Sequence, residues 1–183
     1  MLLYLHGFRS IGLCYKGTII RDFSPHSLTP NLPYIPDLAI EFIQSLIEKY
    51  QKQYKICLIG SSLGGYYATF LAEKYHLKAI LVNPVIDGYK TLLPAVGRIH
   101  IPYNNQTFLW TIDLALSLKQ YYVETITPSL YYVMLQKGDK VLNYKNAVEK
   151  FRDSKMLLQE GGSHRFENFQ DQKDSILQWA DEY

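Results

Sequence analysis

An α/β fold with a mostly parallel central sheet flanked by helices is what this sequence predicts, and three observations predict it. Strand-like apolar runs recur at about 2–6, 56–60, 79–83, 130–136 and 155–159. Some, such as Ile56-Cys57-Leu58-Ile59, are apolar without alternation, as strands buried on both faces must be. Helical patterns at about 37–51, 63–76, 144–152 and 167–181 stand between or after them. At 183 residues the chain can bury one sizeable core, whereas two domains would leave neither comfortable, so residues 1–183 are expected to form one unit.

Taken in order, the first strand ends in Leu5-His6-Gly7-Phe8, where a glycine lets the chain turn tightly. The first helix starts at Ile35-Pro36-Asp37, with proline at or before the first turn and an acid inside it. The second carries Leu63, Tyr66, Tyr67, Phe70, Leu71 and Lys74 at spacings of three and four. Residues 88–127 then interrupt the strand-helix alternation as a candidate cap or lid insertion. They contain Leu92-Leu93-Pro94, Ile101-Pro102-Tyr103-Asn104-Asn105 and an apolar helical pattern around Leu109, Ile112, Leu116 and Leu118.

The most informative junction is Ile59-Gly60-Ser61-Ser62-Leu63-Gly64-Gly65, a strand running straight into a helix. So sharp a turn strains its central residue and exposes that side chain above the sheet, the arrangement of a nucleophile elbow. Side chains at Gly60 and Gly64 would collide with the neighbouring strand and helix. Ser62 is therefore the candidate nucleophile. Ser61 fails the test, because Ile59 and Leu63 stand two positions away instead of glycines. The bland alternative is an ordinary strand-turn-helix in which Ser62 only caps the helix.

A serine hydroxyl needs a base and a group to orient that base. Of five histidines, His164 follows the last strand in Glu160-Gly161-Gly162-Ser163-His164, where flanking glycines let the loop bend towards the elbow. His26, His76 and His100 have no such strand-end placement. The orienting acid is expected at Asp139, after the strand Leu130–Leu135, with Asp87 after the strand at 79–83 as its rival. The order Ser62, Asp139, His164 is the one α/β-hydrolases use. Backbone amides of Phe8 and Leu63 would then form the oxyanion hole. His6 could be read as catalytic or metal-binding, but no second ligand stands at the right spacing, and a hydrogen-bonding role in its loop is preferred.

On these blocks, together with Val82-Asn83-Pro84-Val85 and Gly138-Asp139-Lys140-Val141-Leu142-Asn143-Tyr144, the chain resembles the small bacterial esterases of the YqiA/YcfP family within the α/β-hydrolase superfamily. The resemblance implies a minimal α/β-hydrolase fold that lacks the antiparallel strands opening larger relatives. It implies a serine esterase with Ser62, Asp139 and His164 at the triad positions, Phe8 and Leu63 at the oxyanion positions, and no metal or organic cofactor. Lys140 and Asn143 stand where relatives often carry acids, and Arg165 where a small residue is expected. These departures bear on substrate preference and pH optimum.

The reading is hydrolysis of acyl esters through an acyl-Ser62 intermediate. A thioesterase or acyltransferase would use the same residues, and a non-catalytic binding module on this scaffold would be expected to lack a triad member. Phe108 and Trp110 are expected to line an acyl pocket if 88–127 is a cap, or to pack only against the body of the domain. The expected partner is a small acyl ester or thioester. A net charge of +2 with scattered lysines argues against nucleic acid. No apolar run reaches the roughly 18 residues of a membrane span. The first strand begins at Leu2, leaving no room for a leader, and two cysteines do not make a disulfide framework, so a cytoplasmic location is expected. Oligomeric state is not legible.

Overall fold

A computed structural model describes residues 1–181; the last two positions of the expected 1–183 unit lie outside the described residues. Eight strands are described: β1 (Leu2–Leu5), β2 (Ser27–Leu28), β3 (Cys57–Ser61), β4 (Lys78–Val82), β5 (Gly97–His100), β6 (Thr107–Trp110), β7 (Tyr131–Gln136) and β8 (Lys155–Gln159). The α-helices are α1 (Tyr15–Phe23), α2 (Pro36–Tyr50), α3 (Leu63–Tyr75), α4 (Gly88–Leu92), α5 (Ile112–Ser117), α6 (Tyr144–Lys150) and α7 (Lys173–Asp181). Six strands form one sheet in the order β2-β1-β3-β4-β7-β8. Every pairing in it is parallel.

Alternate strand residues face opposite sides of the sheet, which divides the core in two. Leu3, Leu5, Leu58, Leu81, Val133 and Leu135 pack with α2, α3 and α6 on one side. Leu2, Tyr4, Ile59, Ile80, Val82 and Met134 pack with α1 and α7 on the other. With both faces covered, the strands have no need of a polar face, and β1, β3 and β7 are buried end to end. Each large aliphatic side chain buried this way contributes roughly 1.5–3 kcal/mol.

The segment between α4 and β7 is folded onto α2 and α3. Trp110, Ala115 and Leu118 join the core of those helices. The Tyr66 hydroxyl donates to the Leu118 carbonyl at 2.6 Å, and those of Tyr121 and the Gln120 amide reach Asp37 at 2.8 and 2.7 Å. β5 and β6 form a separate antiparallel hairpin within it. The helical pattern expected from Leu109 onward breaks there: Leu109 lies in β6, and Thr111 caps α5 by accepting the Leu114 amide at 3.2 Å. Leu109, Ile112 and Leu116 are exposed. The last helix also starts later than its pattern, because a 3-10 turn at Phe169–Gln172 precedes α7. Among the described residues no helix is long and apolar enough to cross a membrane.

Candidate active site

A parallel sheet sends all its strands out at one edge, and there the chain builds its loops. β1 leads to Gly7 and Phe8, β3 to Ser62, β4 to Asn83, β7 to Asp139 and β8 to His164. At the end of β3 the backbone of Ser62 takes φ 55° and ψ −120°, a left-handed conformation that a serine adopts only when its surroundings impose it. The glycines beside it are the reason the turn closes. A Cβ on Gly64 would lie 2.0 Å from the Leu5 carbonyl oxygen, and one on Gly60 would lie 2.4 Å from that of Gly64. Ser61, by contrast, is buried as the last residue of β3.

The structure brings three of the sequence-selected side chains together. His164 Nε2 lies 3.1 Å from Ser62 Oγ, and its Nδ1 lies 2.7 Å from Asp139 Oδ2. A carboxylate only accepts, so Nδ1 carries the proton and Nε2 of the neutral ring is free to accept from the serine hydroxyl. The other Asp139 oxygen accepts the amides of Val141 at 2.8 Å and Leu142 at 2.9 Å. Burial by itself would raise this carboxyl, whose side chain is 2% exposed. The bonds from His164, Leu142 and Val141, with the charge His164 carries once protonated, outweigh it and hold the group below the usual carboxylate range. Asp87 is elsewhere, capping α4 through the Lys90 amide at 3.0 Å.

The loop after β1 lies against the elbow. A Cβ on Gly7 would sit 3.0 Å from the Ser62 Cβ. Leu63 is the first residue of α3, and Phe8 borders the cavity beside Ser62. His6 is committed to that loop's structure, since Nδ1 donates to the Gly7 carbonyl and Nε2 accepts the Leu32 amide, each at 2.9 Å. Burial lowers its pKa, against the opposing pull of the Gly7 bond.

A cavity of about 380 Å³ opens at Ser62 and His164, with Tyr4, Phe8, Lys16 and Tyr103 among its walls. Phe108 and Trp110 do not line it. They stand behind Phe8, with edge contacts to its ring at centroid distances of 5.7 and 5.0 Å, and Phe108 stacks on Tyr34 at 4.4 Å. From the hairpin, Pro102 and Tyr103 reach the cavity instead. A larger depression of about 630 Å³, bordered by Asp87, Tyr122 and Arg152, contains none of Ser62, Asp139 and His164.

Two buried polar residues that sequence reasoning left without a role fix the histidine loop. Asn83 donates from Nδ2 to the carbonyls of Ser163 and His164 at 3.0 and 3.2 Å, while its Oδ1 accepts the Gln136 amide at 3.0 Å. Gln136 Oε1 accepts the amides of Ser163 and Glu167 at 3.0 and 2.8 Å. The signal available for both was an amide side chain at the end of an apolar strand. Lys16 adds a third tie, from Nζ to the Arg165 carbonyl at 2.8 Å. Arg165 itself is exposed.

The model of the family described as "Uncharacterised protein family (UPF0227)" matches residues 1–181. Among solved structures, the chain is similar to a monoacylglycerol lipase from Paleococcus ferrophilus, with a TM-score of 0.73 at 14% identity, covering 98% of this chain and 93% of that one. Mouse alpha/beta hydrolase domain-containing protein 10 matches with a TM-score of 0.73 at 14% identity over 97% of this chain and 89% of its own. The esterase domain of a Rhodothermus marinus protein gives 0.69 at 17% identity over 98% and 85%. At such identities the likeness establishes the fold, which is that of the α/β-hydrolases.

Proposed function

We propose that this chain, which belongs to the UPF0227 or YqiA/YcfP family, is a serine hydrolase of carboxylic esters. One observation carries the reading: a serine held at φ 55° faces a histidine at 3.1 Å that is itself held by a carboxylate at 2.7 Å. The esterase and lipase named among its structural neighbours support it at the level of fold.

In the first half-reaction Ser62 Oγ attacks the acyl carbon and its proton passes to His164 Nε2. Asp139 stabilises the imidazolium and keeps its ring in the required orientation. The amides of Phe8 and Leu63 receive the negative oxygen of the tetrahedral intermediate. As that intermediate collapses, His164 returns the proton to the departing alcohol, leaving Ser62 acylated. Water then gives a proton to His164 and attacks the acyl carbon, and as the second tetrahedral intermediate collapses His164 returns that proton to Ser62 Oγ, releasing the acid and the free serine. A thioester would follow the same path with a thiol leaving. Residues 88–127 act in this reading as a small cap whose hairpin tip, through Tyr103, borders the substrate.

The test is turnover of 4-nitrophenyl butyrate. Wild type is expected to hydrolyse it with saturation kinetics, and Ser62→Ala to lose roughly 10⁴-fold or more in kcat with its circular dichroism unchanged. Equal turnover by the two proteins would overturn the proposal.

A further inference from the structure

Lys16 is a buried charged side chain at the cavity whose chemistry the reaction above does not use. It lies in the first turn of α1, is only 8% exposed, and lines the same space as Ser62 and His164. A buried ammonium is costly and is ordinarily paired with a carboxylate. Among the described residues no carboxylate pairs with it: its bond goes to the Arg165 carbonyl, and the ionisable groups acting on it are Cys14 and the Arg165 cation. An ammonium has three donors, so two remain for the cavity.

The rest of the wall has the same sign. Among the described residues Arg9 and Arg165 are the other charged residues lining the cavity, and no aspartate or glutamate lines it. Arg9 is held at the mouth by its Nε, which donates to the His100 carbonyl at 3.0 Å. Low-dielectric walls of one charge focus the field on whatever enters. At about 380 Å³ the space is near the lower end for small-molecule sites, which suits a compact charged group next to the scissile ester.

Resting on the hydrolase reading and extending it to substrate class, we propose that this cavity contains a subsite for an anionic group carried by the ester, seated on Lys16 and rimmed by Arg9 and Arg165. Lys16 supplies a point charge from below and the two guanidinium groups supply planar donors at the entrance. Burial lowers the Lys16 ammonium to about 8. A bound anion provides the counter-charge that the folded chain withholds.

Two matched ester pairs locate the anion. Mono-4-nitrophenyl adipate against 4-nitrophenyl methyl adipate places it on the acyl side. 1-Butyryl-glycerol 3-phosphate against 1-butyrylglycerol places it on the alcohol side. In at least one pair wild type is expected to favour the anionic member in kcat/KM by about tenfold, the scale of one charge-assisted contact. In Lys16→Met that ratio is expected to fall towards one, whatever happens to absolute rates, and in the surface variant Arg165→Gln to fall partway. Titration of adipate and of glycerol 3-phosphate into Ser62→Ala protein reads the subsite without catalysis, and saturable binding lost on adding Lys16→Met supports it. Neutral esters favoured in both pairs, or a preference untouched by both variants, would overturn the subsite. If wild type cleaves neither 4-nitrophenyl butyrate nor any of the four esters, the hydrolase reading fails and the titration alone decides the subsite; if it cleaves 4-nitrophenyl butyrate but none of the four, the subsite fails and the hydrolase reading stands.

Discussion

The side-chain amide of Asn83 donates to the backbone carbonyl of His164 at 3.2 Å and to that of Ser163 at 3.0 Å, although the residues are about 80 positions apart. Asn83 is 2% exposed and has φ 41°, a conformation that asparagine tolerates better than most residues. It thereby couples the end of β4 to the loop that presents the imidazole.

Asn83 is accordingly a positioning residue. Asn83→Ala leaves two loop carbonyls and the Gln136 amide without this partner, at a cost of about 1–3 kcal/mol. The expected kinetic signature is a fall in kcat of at least about tenfold with KM little changed, since the imidazole drifts while the cavity keeps its walls. A rise in KM with kcat unchanged would assign the residue to substrate binding instead.

Asp139 and Asp87 separate cleanly by mutation. Asp139→Asn is expected to lower kcat by roughly 10³–10⁴ by upsetting the tautomer of His164, whereas Asp87→Ala removes a cap from α4 and leaves kcat within about twofold. The depressed pKa of Asp139 means that its contribution to stability is present above the unfolded carboxylate value and is lost as pH falls through the folded one. Denaturant titrations from pH 7 down to pH 3 should therefore show a shallower acid-side loss in Asp139→Asn than in wild type.

Phe108 stands behind Phe8, so its effect on esters should not depend on the acyl chain. Phe108→Leu is expected to change kcat/KM for acetate, butyrate and octanoate esters by one common factor. A factor that grows with chain length would return this ring to an acyl pocket.

Lys16 gives stability a pH dependence of its own. Burial lowers the ammonium from 10.5 to about 8, so between those values the unfolded chain holds a proton that the folded chain has released. Stability from this group therefore rises as pH climbs through that window, by roughly 2–4 kcal/mol, and is withheld below pH 8. Lys16→Met lacks the effect. Its stability advantage over wild type in urea titrations should be largest near pH 7 and should shrink by that amount near pH 10.5.

What the sequence revealed follows from the range of the forces involved. The elbow was legible because its glycines, its strand and its helix are neighbours in the chain, and the chain order of Ser62, Asp139 and His164 pointed to residues the fold then places within hydrogen-bonding distance. α1 and β2 were not foreseen: α1 mixes Lys16, Gly17 and Thr18 with Ile19 and Ile20, and β2 has only two residues. The β5–β6 hairpin was hidden because Leu109 and Ile112 mimic a helical spacing while both face outwards. Lys16 and Gln136 were invisible for another reason. Their partners at Arg165 and Ser163 lie 149 and 27 residues away, and only the folded loop shows that these side chains are buried for a purpose.

The central claim is that Ser62 is an activated nucleophile, and a fluorophosphonate probe followed by intact-mass analysis tests it most directly. The account predicts one adduct on the wild-type chain, none on Ser62→Ala, and a greatly slowed adduct on His164→Ala. Folded wild-type protein that takes up no probe, or an adduct that persists in Ser62→Ala, would contradict it.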